Sequence, residues 1–310
     1  MELERLPRDA GGWAAALGTV EIPVLARTLA ELAILHQKKD GITARDVARV
    51  LLHDPMFSLR LLRQVQALRG PGQNADISTV EHALMMLGIE PFFVRFAGLP
   101  TIEGALREAP EAYRGLLAVL RRSHFAALCA RDWAERRRDT AANEVAVAAL
   151  LHDLSEMLLW CFAPRPALKI HMMQRADTAL RSSVAQREVL GFTLKDLQRE
   201  LVEQWRLGDL LRLLMSEAME GQASPWRVAL HARVRNVSLA VDLARHSANG
   251  WDDAALPDDY AGMAELLKIT PEESLELVQR IAQRADLAGD WYESPAVGRP
   301  AQDSAGADVI

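Results

Sequence analysis

The residues with the greatest chemical potential are His152 and Asp153. They sit inside Ala-Val-Ala-Ala-Leu-Leu-His-Asp-Leu-Ser-Glu-Met-Leu-Leu-Trp, a run that is apolar almost all round. A helix of that pattern belongs at the centre of a protein. Burying a carboxylate there is costly unless it meets a cation or several hydrogen-bond donors. Two other residues have settings that suit the need. His124 lies in Arg-Ser-His-Phe-Ala-Ala-Leu-Cys-Ala, a small-residue stretch fit for close helix packing. Asp242 lies in Val-Ser-Leu-Ala-Val-Asp-Leu-Ala, another mostly apolar stretch.

The elements that must position these residues are all helical. Alternating β-branched runs are nearly absent, and Ala, Leu, Arg and Glu dominate. Thr43 with Asp46, Ser78 with Glu81 and Thr270 with Glu273 have the spacing of capping boxes, and Pro271 suits a first helical position. Gly88 and Gly191 stand where helices should stop. The pattern predicts helices at about 22–37, 43–53, 56–69, 78–87, 90–98, 112–138, 143–162, 165–178, 182–190, 194–205, 208–220, 225–248 and 271–287. The early ones are short and separated by tight turns such as Asp54–Pro55 and Gly70–Pro71–Gly72; three of the later ones are long. The change near Thr101–Pro110 predicts a small N-terminal helical lobe packed on a larger C-terminal lobe. Residues before about 17 and after about 290, the latter rich in Pro, Gly, Ala and Asp, read as loosely ordered.

Composition narrows the function classes. The chain has 310 residues, half of them hydrophobic, and a formal net charge of -6. That balance is globular and offers no concentrated basic face for nucleic acid; Arg121–Arg122 and Arg136–Arg138 read as solvated helix residues. The two cysteines, Cys129 and Cys161, read as buried hydrophobes in a reducing compartment. No basic-then-apolar leader opens the chain, and no apolar run looks close to the roughly 20 residues that span a bilayer. The expectation is a cytoplasmic protein without a membrane partner.

The order His124, His152–Asp153, Asp242 resembles that of the HD superfamily of helical metal-dependent phosphohydrolases. Neighbouring segments resemble its HDOD branch, the HD-related output domains. Ile22-Pro23-Val24-Leu25 is similar to the family's opening. Asp54-Pro55-Met56-Phe57-Ser58-Leu59-Arg60-Leu61-Leu62-Arg63 resembles its Asp-Pro helix. Ile77-Ser78-Thr79-Val80-Glu81-His82-Ala83-Leu84-Met85-Met86-Leu87-Gly88 resembles its following helix, and Glu188, Gly191-Phe192 and Trp205-x-Leu207 keep its spacing. The resemblance covers about residues 17–248, divided near residue 105, with a helical extension over about 249–290.

In that superfamily the four positions bind one divalent metal through two imidazoles and two carboxylates. The resemblance therefore implies His124, His152, Asp153 and Asp242 as a metal site, or the relic of one, suited to Mn, Fe, Zn or Mg. Such a metal would activate water against the phosphoester of a nucleotide or cyclic dinucleotide. The departures point elsewhere. Gln66–Ala67, Leu194 and Gln198 replace residues common in the branch, and Leu214–Glu220 lacks its paired histidines. Absent too are the extra histidines and the Gly-Tyr-Pro signature of the cyclic-dinucleotide phosphodiesterases. The resemblance thus implies a bacterial signal-transduction output or scaffold module that is not an enzyme. Its partners would be separate signalling proteins, with a nucleotide ligand and a homodimer also compatible. In the bland reading the quartet is a hydrogen-bonded core cluster. His36, His53 and His82 read as turn or surface histidines, and Met85–Met86, Met157 and Met172–Met173 as core filler. Phe92–Phe93 and Phe96 read as a stripe joining the lobes.

Overall fold

A computed structural model describes residues 3, 6–37, 41–68, 77–177, 179–215, 225–286 and 289–292. The all-helical expectation holds. The chain runs through α1 (Ala10–Thr19), α2 (Ala26–Gln37), α3 (Ala44–Leu51), α4 (Pro55–Ala67), α5 (Val80–Leu87), α6 (Ile89–Arg95) and α7 (Ile102–Ala105). The long α8 (Pro110–Arg136) follows, then α9 (Ala142–Leu150), α10 (Leu154–Phe162), α11 (Pro164–Ala176), α12 (Ser182–Leu190) and α13 (Leu194–Gln204). Last come α14 (Asp209–Leu214), α15 (Pro225–Ser247), α16 (Leu256–Leu267), α17 (Pro271–Asp286) and a 3-10 turn, Gly289–Tyr292. Among the described residues the sole β element is an isolated parallel bridge between Val24 and Thr101.

Local chemistry explains where these helices begin and end. Thr43 and Asp46 form a reciprocal capping box, as do Thr270 and Glu273. The third box is shifted by one residue: Thr79, not Ser78, caps α5 by accepting from the His82 N–H. Gly88 and Gly191 end α5 and α12 at φ of 85° and 86°, a backbone region that a side chain disfavours. The opening segment is fastened from afar. Asp54 accepts from the N–H of Leu25 at 2.8 Å and caps its own helix through the N–H of Phe57 at 2.9 Å. Burial raises the Asp54 carboxyl to about 6, against the pull of those two hydrogen bonds. Glu103 accepts from the Ala26 N–H at 3.0 Å, so two remote acids serve the start of α2.

Helix α8 is the axis of the fold. At 27 residues it is about 40 Å long, and α9, α10, α11, α15 and α17 all pack on it. Leu116, Leu120, Cys129, Ala130 and Trp133 are buried along its length. Buried residues from Trp13 to Tyr292 form one continuous core rather than two.

Several expectations need correction. The helix predicted over 143–162 is two helices, broken at Leu151–Asp153. The residues before 17 are not loose throughout: α1 buries Trp13 and Leu17, and the Trp13 indole donates to the Pro7 carbonyl at 3.0 Å. Tyr292 is likewise core. Residues 293–310 and the Gly70–Pro71–Gly72 turn lie outside the described residues, as does most of Leu214–Glu220. Helices α1, α7 and α16 have no counterpart among the predicted helices. Met85, Met86 and Met172 are exposed rather than core. Phe92 and Phe96 pack on Phe57, while Phe93 stacks on His36. Finally, the 21-residue segment Ala142–Phe162, with a mean hydropathy of 1.6, is long and apolar enough to cross a bilayer by length and composition. Of its most apolar stretch, 89 % is buried within the fold.

Candidate functional site

The break between α9 and α10 puts Asp153 at the junction of three helices. Its side chain is 6 % exposed. The Arg122 guanidinium, from α8, donates to Oδ2 through Nε at 3.1 Å and Nη2 at 2.9 Å. The same Nη2 donates to Glu156 Oε2. Arg245, from α15, donates to the other carboxylate oxygen, Oδ1. His152 Nδ1 lies 3.2 Å from that oxygen. Burial alone would raise the pKa of Asp153. Arg245 and Arg122 outweigh it and hold the carboxyl well below the usual carboxylate range. Two guanidiniums and two carboxylates therefore form a compact, neutral network across α8, α10 and α15.

A single side chain bridges the helix break. Gln198, from α13, accepts from the Ser155 N–H at 2.9 Å. It donates to the carbonyls of Leu151 and His152 at 3.2 and 2.9 Å. These are backbone groups that a continuous helix would have paired internally, and buried ones require partners. The side chain that departs from the HDOD pattern is thus what satisfies the interruption at the His-Asp pair.

The four expected ligands do not converge. Asp242 is 49 % exposed and meets Arg245 Nη1 at 3.8 Å. His124 is buried on the opposite side of α8. Its Nδ1 lies 3.2 Å from the Leu52 carbonyl oxygen, and its ring is 4.5 Å from that of His53. Burial first, and the neighbouring His53 second, lower His124 to about 3 despite the Leu52 carbonyl. Among the described residues no group of three His, Cys, Asp or Glu side chains is arranged to hold a metal ion. Both Asp153 oxygens already face guanidinium donors. The arrangement does not fit a divalent ion, because a metal would have to displace Arg122 or Arg245 from the Asp153 oxygen that each already holds.

The network forms the floor of an open cleft of about 1280 Å³. Ser155, Thr193 and Trp160 line its wall, and His171, Arg175 and Arg187 stand at its rim. Two further histidines, His171 and His246, border this cleft. His246 is bound to Asp259 at 2.7 Å, and His231 is exposed elsewhere.

Arg122 was read from sequence as a solvated helix residue and is instead 18 % exposed and doubly ion-paired. Arg245 was missed. Its signal was present: it follows Asp242 by three residues, on the same helix face, and Asp153 required a cation. His53, read as a turn or surface residue, lies against His124.

The HDOD domain model matches residues 22–220. Among solved structures, the MmoQ response regulator of Methylococcus capsulatus str. Bath is 20 % identical, with a TM-score of 0.62, covering 84 % of this chain and 98 % of its own. A virulence factor of Campylobacter jejuni is 18 % identical, with a TM-score of 0.64, covering 84 % and 90 %. At these identities the likeness establishes the fold. The search of curated proteins gives no match.

Proposed function

The chain belongs to the HDOD domain family, and from that premise we propose that it is a signal-transduction module acting through contacts with other proteins rather than through hydrolysis. The observation that carries this reading is the double arginine clamp on Asp153. The position that the superfamily gives to a metal ligand is here spent on joining α8, α10 and α15. Both oxygens already accept from guanidinium donors, so a Lewis acid would first have to displace an arginine. The module's partners would be signalling proteins in the cytoplasm.

The test is direct. Protein purified without chelator is analysed for metal, then incubated with Mn²⁺ or Mg²⁺ and a panel of nucleotides, cyclic dinucleotides and simple phosphoesters. Neither stoichiometric metal nor turnover is expected. Turnover that Asp153→Ala abolishes would establish the hydrolase reading in its place.

A second reading is favoured by the cleft. Its volume exceeds the ~300–1,000 Å³ of ordinary ligand sites. Arg175, Arg187 and Trp160 all line it, a combination suited to a phosphate-bearing, ring-containing ligand such as a nucleotide. Thermal shift against nucleotides decides it, because saturation at one hundred times Kd stabilises by about 2.7 kcal/mol.

A further inference from the structure

The family match ends at residue 220, yet the turn Gly289–Tyr292 is seated on the matched region. Tyr292 is 3 % exposed. Its hydroxyl donates to the His53 carbonyl at 2.6 Å, and its ring lies 5.9 Å from that of His124. Trp291 lies flat on the His53 imidazole, with centroids 4.6 Å apart and planes 7° apart. The Arg27 guanidinium stands 6.0 Å from the Trp291 ring. The socket is therefore built from α2, the corner after α3, and α8, all within the HDOD domain, while the plug comes from outside it.

The chemistry of the socket is that of stacking. The His53 and His124 rings lie side by side with centroids 4.5 Å apart. Flat rings beside a guanidinium suit an indole and a phenol, which bring large apolar area and one polar tip. The cis plug leaves the site incompletely satisfied. His53 Nδ1 is buried with no hydrogen-bond partner, a cost that a ligand with a suitably placed polar group would remove. The plug itself is small, two side chains and one hydroxyl hydrogen bond, and its covalent link to the rest of the chain gives it an effective concentration that a free segment lacks.

We propose that the Arg27–His53–His124 socket is a docking site for a segment of a partner protein bearing two adjacent aromatic residues, and that Trp291–Tyr292 fills it in cis until such a partner competes. The proposal rests on the reading of the chain as a contact-driven module. Turnover assays bear on that reading alone, whereas peptide binding bears on the socket alone.

The probe is a labelled peptide spanning residues 286–297 of this chain, titrated into full-length protein and followed by fluorescence anisotropy. The double variant Trp291→Ala, Tyr292→Ala is expected to bind it at least tenfold more tightly than the wild type. A control peptide with both aromatics replaced by alanine should not bind. A double variant with wild-type circular dichroism and cooperative melting that still ignores the peptide overturns the proposal. Should that variant fail to fold, Tyr292→Phe, which removes only the hydroxyl, takes its place. A severalfold gain in peptide affinity over the wild type is then expected, and equal affinity overturns the idea. A wild-type dimer in sedimentation that the double variant loses would seat a second copy's turn in the socket, and would overturn the assignment to a separate partner.

Discussion

Replacing Asp153 with alanine removes the charge on which three helices converge. Arg122 would retain Glu156, while Arg245 would keep only Asp242 at 3.8 Å. Deleting one partner of a buried ion pair typically costs 3–5 kcal/mol, because the remaining charge is left uncompensated. Here water can reach Arg245, which is 41 % exposed, so the lower end applies, about 3 kcal/mol. At ~2 °C per kcal/mol for a chain of this size, the midpoint should fall by about 6 °C. Urea denaturation of the wild type, Asp153→Ala, Arg122→Ala and the double variant would supply both the loss and the coupling. A coupling energy of 0.5–3 kcal/mol is expected for residues in direct contact. A loss under about 1 kcal/mol with no measurable coupling would refute the clamp. So would a wild-type midpoint that rises with Mn²⁺ while that of Asp153→Ala does not.

Three further outcomes follow from the same geometry. His124 is lowered from 6.5 to about 3, so the folded state refuses a proton that the unfolded chain accepts; stability is intact above pH 6.5 and drains as pH falls toward 3. His124→Gln lacks this loss, and its stability gap from the wild type should narrow by about 2–3 kcal/mol between pH 7 and 4.5, at ~1.36 kcal/mol per pH unit; a constant gap in parallel urea melts would contradict the burial argument. Gln198→Ala would strand the Ser155 N–H and take the side-chain donor from two carbonyls at the α9–α10 break. About 2 kcal/mol should be lost, with hydrogen exchange at Ser155 accelerated beyond that of neighbouring amides; unchanged exchange would show that the bridge is dispensable. Gly115→Ala would place a Cβ 2.7 Å from the Trp160 ring, and overpacking of this kind costs about 1–3 kcal/mol. A neutral substitution would mean that the cleft wall yields freely.

The fold was largely legible because its signals are local. The capping box at Thr43, the Pro271 start and the Gly191 stop each rest on atoms within a few residues. The helix break at Leu151–Asp153 was not legible. Apolar periodicity runs unbroken through it, and what sustains the break is a glutamine more than 40 residues away. The site divides along the same line. The sequence marks Asp153 as a buried charge in need of a cation, but it does not say whether that cation is a metal or an arginine. Arg245 is 92 residues distant, and spacing cannot place it. The His53–His124–Tyr292 contact depends on a turn 239 residues from His53, which no pattern along the chain announces.

The apolar segment Ala142–Phe162 has a consequence before the chain is folded. While it emerges during synthesis it has, by length and composition, what a bilayer-spanning segment needs. Asp153 stands near its midpoint, where an ionised carboxylate raises the cost of insertion by about 3 kcal/mol. The carboxylate that joins three helices in the finished protein thus also biases the nascent segment away from the lipid, toward water and its eventual partners. Removing it would leave a chain that is both less stable once folded and more readily diverted into a bilayer before it folds.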